Sequence, residues 1–263
     1  MTTAIPFTPI LPTFRIDGRT ALVTGAGAGI GAAIAAALAE AGAEVVLVSR
    51  RRSTLEPIAA QITAAGGRAT FRECDVTDSS TVRALIQELP QLDIFVNNAG
   101  TNIPEPFVEV SDEHLDSMSD LNVRACFVVA QAAVKKMLED PARKEKGGVV
   151  INVSSQMGHI GSPNRTVYCM NKHAVEGLTK ALAVELAPRG IRVNSIGPTF
   201  VDTPLIRKIV DTPEKHEFLV SKIPMGRMAT VKDIAAAALY LASPAAAMVT
   251  GTCLLVDGGW TAQ

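Results

Sequence analysis

Short apolar runs alternate with longer amphipathic segments along most of the chain. Seven runs rich in Val, Ile and Leu predict β-strands. They lie at residues 20–24, 44–48, 69–73, 93–96, 149–153, 192–196 and 253–256. Helical spacing of apolar residues predicts helices at 30–41, 53–65, 79–89, 112–138, 167–187 and 231–242. This alternation predicts an α/β protein with a doubly wound, seven-stranded parallel sheet, buried on both faces beneath helices.

Three segments fall outside the alternation. Residues 1–15 are rich in proline, residues 139–148 are charged, and residues 197–222 have no clear period. We interpret the first as an N-terminal arm, the second as a surface loop and the third as irregular. No linker, repeat or shift in composition marks a second domain, so residues 16–263 are predicted to form a single domain.

Composition mainly excludes classes of protein. Of the 263 residues, 48% are hydrophobic, which is enough for a large core. The net charge is -1, so no basic excess favours nucleic acid. No uncharged apolar run reaches the roughly 18 residues of a membrane span. The 4 cysteines lack a C-x-x-C pair, as is typical of a reducing compartment. We therefore expect a cytoplasmic protein that binds neither nucleic acid nor membrane.

A glycine-rich turn joins the first predicted strand to the first helix. Gly25, Gly29 and Gly31, with Ile30 between the last two, form a G-x-x-x-G-x-G pattern. Glycines let the backbone approach a pyrophosphate, and the helix N-terminus offers free N–H groups. An ordinary glycine turn is the alternative, but the position between strand and helix favours nucleotide binding. The fold is accordingly predicted to be a single-domain Rossmann fold.

The second predicted strand ends at Ser49 and is followed by Arg50, Arg51 and Arg52. An acidic residue at this point would bind the ribose 2′-hydroxyl of NAD, whereas arginine accommodates the 2′-phosphate of NADP. A solvated charge run at the start of a helix is the alternative. The pattern favours NADP(H) over NAD(H), with Ser49 and Arg50 as contacts.

Polar residues also follow the later strands. Asp75 and Val76 follow the third strand, where the carboxylate of Asp75 could accept from an adenine amine. Asp75 could instead cap a helix, with Thr77 and Asp78 as competitors for that position. Asn98 belongs to an Asn-Asn-Ala-Gly turn that could pass beneath a ribose or nicotinamide. Asn122 interrupts a helical pattern, where asparagine is disfavoured unless its side chain is exposed or bound in a polar network.

Tyr168 and Lys172 are separated by four residues, which places them on one face of a helix. The ammonium of Lys172 favours the phenolate form of Tyr168, so the pair could exchange a proton with an alcohol or carbonyl. Ser154 and Ser155 end the preceding strand, and either hydroxyl could bind the oxygen that gains the proton. No histidine spacing suggests a metal site, and Glu176 beside His173 is interpreted as a solvated helix pair.

Five segments now match, in order, the motifs of one family. They are 24–31, 97–100, Ser155, 168–172 and 194–198. From about residue 16 to residue 260 the chain resembles a classical short-chain dehydrogenase/reductase. The resemblance implies that Tyr168 is the general acid/base, that Lys172 also binds the nicotinamide ribose, that Ser155 holds the substrate oxygen and that Asn122 anchors a water relay.

The resemblance further implies the remaining cofactor contacts. They are Asp75, Val76 and Asn98 near adenosine, and Val201 and Thr203 at the nicotinamide carboxamide. The family commonly has glycine after Pro198, where this chain has Thr199, so the loop that follows is expected to be stiffer than usual. The reaction implied is hydride transfer between nicotinamide and a secondary alcohol or ketone. Family members usually form homotetramers.

The predicted substrate side is polar and poor in aromatic residues, with Gln156, His159 and Arg165 before or beside the tyrosine. Such a set favours a sugar, sugar acid or polyol, as in the gluconate and deoxygluconate dehydrogenases of the family. One alternative is a 3-oxoacyl-[acyl-carrier-protein] reductase that binds its carrier through Lys208, Lys215 and Lys222. A non-catalytic NADP-sensing protein is the alternative from another class.

Overall fold

The structure is a computed structural model that describes residues 12–263, apart from the side chains of Leu205, Lys208 and Ile209. The predicted arm over residues 1–15 lies mostly outside the described residues, so the division into arm and domain stays a prediction. Among residues 12–263, no helix has the length and apolar character that a bilayer crossing requires.

Seven parallel strands form one sheet, as predicted. They are β1 (Thr20–Thr24), β2 (Glu44–Ser49), β3 (Arg68–Glu73), β4 (Ile94–Asn97), β5 (Gly148–Val153), β6 (Ile191–Pro198) and β7 (Cys253–Val256). Their order is β3-β2-β1-β4-β5-β6-β7. The winding reverses between β1 and β4, and ligands of open parallel sheets bind at such a reversal, beyond the carboxyl ends of the strands.

The main helices cover both faces of the sheet, which confirms the doubly wound fold. They are α1 (Gly29–Glu40), α2 (Arg52–Ala64), α3 (Ser79–Gln87), α4 (Asp112–Ser119), α5 (Cys126–Met137), α6 (Arg143–Lys146), α7 (Thr166–Leu186), α8 (Pro204–Ile209), α9 (Pro213–Val220) and α10 (Val231–Ala242). Apolar residues of α1, α2 and α10 share one core with Val23, and those of α3, α5 and α7 share the other with Leu22.

The prediction that the sheet is buried on both faces is wrong for β3. Only Ala69 and Phe71 of this strand are even half-buried, and its other four residues are exposed. The reason is position: β3 is an edge strand, so one face packs on α2 while the other meets solvent.

The predicted helix at 112–138 is interrupted. A π-helical turn, Asp120–Ala125, separates α4 from α5. A π-turn holds one extra residue without breaking the chain of apolar positions, so the periodicity did not reveal it. The segment 197–222 was also wrongly interpreted as irregular, since it contains α8 and α9, each beginning with a threonine cap and a proline.

The charged segment 139–148 is more than a surface loop. Its Arg143 is 3% exposed and donates to Asp93 Oδ1 at 2.9 Å, to the Leu92 carbonyl at 2.9 Å and to the Met137 carbonyl at 2.9 Å. These bonds attach the segment to the amino end of β4. Arg143 stands among other charged residues in the sequence, so its burial could not be predicted from the pattern.

Candidate active site

The glycine turn packs tightly against the end of β4. A Cβ atom at Gly31 would lie 2.5 Å from Asn98 Nδ2, and one at Gly25 would lie 2.7 Å from the same atom. Asn98 Nδ2 donates to the carbonyls of Thr24 at 2.9 Å and Gly25 at 3.2 Å. Only glycine fits these positions. Asn98 therefore fixes the turn through its amide nitrogen, a role additional to the predicted contact with ribose.

The start of α1 is open to a ligand. Its N-cap residue, Ala28, has no side-chain hydrogen bond to the first turn, so the amides there are free for a phosphate. Gly29 has φ +58°, and a Cβ atom there would lie 3.5 Å from Thr203 Cγ2. Ile30 is half-buried. The predicted contacts Gly29 and Thr203 thus face each other across the helix start.

The end of β2 borders the same turn. A Cβ atom at Gly27 would lie 3.1 Å from Ser49 Oγ. Arg52 is engaged, since its guanidinium lies 3.5 Å from Glu56 Oε2 and 5.1 Å from the centre of the Phe71 ring. Arg50 and Arg51 are exposed, and neither forms an ion pair with any residue between 12 and 263. Arg50 is therefore available for a phosphate beside Ser49.

The two interpretations of Asp75 separate clearly. The N-cap of α3 is Asp78, which accepts from the amides of Ser80 and Thr81. Asp75 instead shapes the turn after β3, because its Oδ1 accepts from Thr77 N at 3.0 Å and Thr77 Oγ1 at 2.8 Å. Val76 beside it is buried. The cap interpretation of Asp75 is wrong, and its proposed contact with adenine stays a prediction.

Tyr168 and Lys172 lie one turn apart on α7, as their spacing predicts. Lys172 Nζ lies 5.5 Å from the centre of the Tyr168 ring and donates to the Val153 carbonyl at 2.9 Å. Lys172 is 6% exposed, whereas Tyr168 is half-buried. The end of β5 thus fixes the ammonium beside the phenol.

Asn122 lies in the π-turn and is buried. Its Oδ1 accepts from Thr101 N at 2.8 Å, and its Nδ2 donates to the Thr101 carbonyl at 2.8 Å. A Cβ atom at Gly100 would lie 3.0 Å from Asn122 Oδ1 and 3.9 Å from Lys172 Nζ. Asn122 and Lys172 therefore approach the same point of the backbone. Of the two interpretations left open, the buried polar network is the correct one.

The two serines after β5 point to different places. Ser155 Oγ accepts from Met157 N at 3.1 Å and caps a short 3₁₀ turn, Gln156–Gly158. A Cβ atom at Gly158 would lie 3.0 Å from Ser154 Oγ and 3.0 Å from Glu176 Cγ. Ser154 therefore faces the underside of α7, which leaves Ser155 as the candidate for the substrate oxygen.

Several buried polar atoms lie without partners in the segments that follow β4, β5 and β6 or that precede α7. Among the residues that the structure describes, these buried atoms include Asn102 Oδ1, Gln156 Oε1 and Nε2, Arg165 Nε and Thr199 Oγ1. Gln156 is 1% exposed. Buried polar atoms are nearly always satisfied in folded proteins, so these groups are candidates to bind the polar groups of a ligand. Two of the predicted substrate residues, Gln156 and Arg165, belong to this group.

His159, the third predicted substrate residue, faces elsewhere. Its Nε2 lies 3.7 Å from Glu176 Oε1. Glu176 is 5% exposed and accepts from Ser195 Oγ at 2.8 and 3.0 Å, while His173 Nδ1 lies 2.8 Å from the Cys169 carbonyl. The interpretation of Glu176 and His173 as a solvated pair is therefore wrong. Glu176 lies one turn after Lys172 on α7, and its carboxylate points at Ser195 of β6.

This cluster also brings together potential metal ligands that the spacing of histidines does not reveal. Ligand atoms of His159, Glu176 and Cys253 all lie within 4.8 Å of one another. Burial raises the pKa of the Cys253 thiol to about 12, so the thiol carries its proton at neutral pH. The carboxylate of Glu176 is already satisfied by Ser195. The prediction that no metal is required stays a prediction.

A second polar network, missed in the sequence, lies beneath the site. Asn97 Nδ2 donates to the Cys126 carbonyl at 2.9 Å and to Asn152 Oδ1 at 3.3 Å. Asn152 Nδ2 donates to Thr179 Oγ1 at 2.9 Å, which donates to the Val175 carbonyl at 2.8 Å. This polar ladder joins β4 and β5 to α5 and α7. Asparagine inside an apolar strand pattern was the available signal.

The loop after β6 adopts ordinary backbone angles. Val201 is 3% exposed and its backbone pairs with Ala229. Thr203 Oγ1 accepts from Ile206 N at 3.3 Å and caps α8. Across residues 12–263, Asn164 is the one non-glycine residue with positive φ. Thr199 therefore replaces the usual glycine without backbone strain.

The chain is similar to enzymes with different substrates. A family model described as "Enoyl-(Acyl carrier protein) reductase" matches residues 25–261. A D-threitol dehydrogenase of Mycolicibacterium smegmatis is 42% identical over 94% of this chain and 95% of its own. An L-xylulose reductase of Bos taurus is 38% identical over 94% of this chain and 98% of its own. A gluconate 5-dehydrogenase of Burkholderia cenocepacia, crystallised with NADP and tartrate, is 35% identical over 95% and 98%, with a TM-score of 0.89.

Proposed function

The chain belongs to the short-chain dehydrogenase/reductase family and is an NAD(P)-dependent oxidoreductase, and we propose that it interconverts a secondary alcohol and a ketone on a small polyhydroxylated molecule, with NADP(H) as cofactor. The observation that carries the proposal is that the end of β5, two residues before Ser155, fixes the Lys172 ammonium beside the Tyr168 ring. Gln156 and Arg165, adjacent in the chain to Ser155 and to the start of α7, carry buried polar atoms without partners among the described residues.

The residues present fit a dinucleotide. The glycine turn has no room for side chains, the first turn of α1 has free amides, and Gly29 faces Thr203. When bound, the nicotinamide gives or takes the hydride. Tyr168 would hold its hydroxyl on the substrate oxygen and move the proton, while Lys172, fixed by the Val153 carbonyl, stabilises the phenolate. Ser155 would bind the same oxygen, and Asn122 would support a water relay to Lys172.

Preference for NADP(H) rests on Ser49 and Arg50. β2 ends in serine, so this strand supplies no carboxylate for a ribose 2′-hydroxyl, and the neighbouring Glu73 of β3 accepts from Arg52 N at 3.1 Å. Arg50 is exposed beside Ser49 without an ion-pair partner among the described residues. A 2′-phosphate would supply that partner and form charge-assisted hydrogen bonds.

Polyhydroxylated substrates are favoured by the atoms that lack partners. Amide, guanidinium and hydroxyl groups of Asn102, Gln156, Arg165 and Thr199 can each bond a substrate hydroxyl or carboxylate. A long acyl chain would leave them unsatisfied, at a cost of about 1–3 kcal/mol each. Relatives named for threitol, xylulose and gluconate agree with this preference.

A 3-oxoacyl-[acyl-carrier-protein] reductase remains the second candidate, because such an enzyme of Thermotoga maritima is 34% identical over 93% of this chain. Its carrier would need free basic residues near the pocket. Lys215 Nζ is paired with Asp211 Oδ1 at 2.7 Å, and Lys222 Nζ lies 5.5 Å from the centre of the Phe218 ring. The side chain of Lys208 lies outside the described residues. Neutralisation of Lys215 by Asp211 weakens the proposed basic patch, which disfavours the acidic carrier.

Assembly and location are part of the proposal. Apolar side chains are exposed on α5 and α7, with Phe127 at 49%, Met170 at 54% and Val184 at 80%. Burial of these surfaces between subunits would stabilise a homotetramer. Four cysteines without disulfides suit the cytoplasm.

The test uses the two tyrosines of the chain as a matched pair. Purified protein is mixed with NADPH or NADH and a panel of ketoses, keto acids and a 3-oxoacyl thioester, and cofactor absorbance is followed. We expect Tyr168→Phe to lower kcat by about 100- to 10,000-fold while NADPH still binds, because a positioned proton donor is lost. Tyr240→Phe, on α10, is the control. Equal activity of Tyr168→Phe, or turnover of the thioester alone, would refute the proposal.

A further inference from the structure

Arg165 stands directly before α7, three residues ahead of Tyr168. Its side chain is half-buried. Nη1 donates only to the carbonyl of the neighbouring Asn164, at 3.0 Å. Nε is buried without a partner, and Nη2 forms no hydrogen bond with any residue from 12 to 263. The Nε and Nη2 edge of the guanidinium, which binds carboxylates in bidentate fashion, is therefore free.

No carboxylate of the described chain lies within 4.0 Å of this guanidinium. Glu105 belongs to a segment that contacts the residue before Arg165, since its backbone N donates to the Asn164 carbonyl at 3.1 Å. The Glu105 carboxylate is used elsewhere, since Oε1 lies 2.7 Å from His114 Nδ1. By contrast, the buried Arg143 pairs with Asp93 at 2.9 Å.

Three costs coincide at Arg165. Burial disfavours an unpaired charge and lowers the pKa of the guanidinium. The charge stands at the positive end of the dipole of α7, a helix of 21 residues. No capping side chain shields that end. An anion bound to the free edge would offset all three costs, whereas a neutral hydroxyl would offset only the lost hydrogen bonds.

We propose that Arg165 binds a carboxylate of the substrate, so that this enzyme acts on hydroxy acids and keto acids of the sugar-acid class in preference to neutral polyols and ketoses. The inference rests on the proposed function and narrows it. Arg165 and Tyr168 are separated by about one helical turn. The carboxylate that Arg165 binds and the carbon that reacts beside Tyr168 are therefore different carbons of one substrate molecule. Among the relatives named above, the substrate class matches that of the gluconate enzyme and differs from threitol.

A competing role for Arg165 is electrostatic, because Tyr168 follows it by three residues and an ionised phenol there would attract the guanidinium. In that role Arg165 would stabilise phenolate together with Lys172. Removal of its charge would then affect acids and polyols equally and would displace the pH profile of kcat. Selectivity between matched substrates distinguishes the two roles.

The experiment compares acid and alcohol pairs of equal carbon number: gluconate with glucitol, xylonate with xylitol, and threonate with threitol. Reduction of NADP⁺ is followed for the full-length enzyme, Arg165→Gln and Arg165→Lys. Arg189→Gln is the matched control, since Arg189 is exposed beyond the far end of α7. Thermal unfolding and NADPH binding verify that each variant is folded.

We expect the unmodified enzyme to prefer the acid of at least one pair by 10-fold or more in kcat/KM. Arg165→Gln should lower the acid-to-alcohol ratio by about 30-fold, the effect of losing one half-buried charged partner. Arg165→Lys should lower the ratio less, because the charge remains and the bidentate geometry is lost. Arg189→Gln should leave the ratio unchanged.

Three results would overturn the inference. One is a preference for alcohols in the unmodified enzyme, and another is an unchanged ratio in Arg165→Gln. The third is an equal loss on both substrates with a displaced pH profile, which would assign Arg165 to Tyr168. Failure to oxidise any member of the panel would instead refute the proposed function, and the inference with it.

Discussion

Two polar regions border the same edge of the sheet, and they differ in how completely their atoms are bonded. The polar ladder of Asn97, Asn152 and Thr179 runs between β4, β5 and α7 and bonds at every step. The rim around Tyr168 includes Gln156 and Arg165, whose buried atoms have no partner among the described residues.

Folding alone satisfies the hydrogen-bonding groups of the ladder, whereas those of the rim need a ligand to satisfy them. A satisfied buried network rigidifies its surroundings, so the ladder fixes α7, and with it Tyr168 and Lys172, before any substrate arrives. The rim carries the cost of unsatisfied groups in the free enzyme. Binding of a substrate with matching oxygens removes that cost, and this gain favours the correct substrate over apolar ones.

The largest expected effect comes from the ladder. Asn152→Leu removes the bonds to Asn97 and Thr179, all of them buried. We expect the free energy of unfolding to fall by about 2–3 kcal/mol, measured by urea denaturation. Asn171→Leu is the control, because the buried Asn171 side chain loses only one long bond, from Ser119 Oγ to its Oδ1 at 3.4 Å, and its amide nitrogen already lacks a partner in the described chain. An equal loss in the two variants would remove the distinction between the regions.

A thiol attached to the ladder gives a pH test. Asn97 Nδ2 lies 3.0 Å from Cys126 Sγ, and burial raises the pKa of this thiol from 9.0 to about 11. The folded state therefore keeps a proton that the unfolded state loses. The resulting stability is complete below pH 9 and disappears as the pH rises through 11.

Between pH 8 and 11 we expect the enzyme to lose about 2 kcal/mol more of unfolding free energy than Cys126→Ala does. Urea denaturation of both proteins at the two pH values measures the difference. Parallel losses would mean that burial does not hold the proton on the thiol in the folded state.

The smallest effect on stability is expected at the rim. Gln156→Met keeps the size of the side chain and removes two unsatisfied atoms. The free energy of unfolding should stay within about 1 kcal/mol or rise, while kcat/KM falls about 10-fold. Gln131→Met, whose amide is exposed and bonds Arg83, should leave kcat/KM unchanged. A strongly destabilised Gln156→Met would show that its amide already has a partner.

Sequence patterns predicted those features that repeat locally. Strand and helix alternation gave the sheet because apolar periodicity reports burial residue by residue. The four-residue spacing of Tyr168 and Lys172 placed both on one helix face for the same reason. Local patterns do not show where a strand lies within the sheet. The sheet was therefore predicted to be buried on both faces, although β3 is an edge strand and mostly exposed.

Contacts between distant segments escaped prediction. Glu176 was assigned to His173, its neighbour on the helix, whereas its partner Ser195 lies on β6. The bond between Asn97 and Asn152 likewise depends on β4 and β5 being adjacent. Which strands pair is decided by packing of the whole chain, and a single sequence contains that information only indirectly.

The π-turn at Asp120–Ala125 makes the active site sensitive to chain length as well as to residue identity. An α-helix rotates by about 100° with each residue. Deletion of one residue from the turn would restore a continuous helix and swing α4 around its axis relative to α5, carrying Asn122 away from Thr101 without changing any side chain. Loss of any one residue from this short stretch is therefore expected to displace Asn122 as effectively as replacing Asn122 itself.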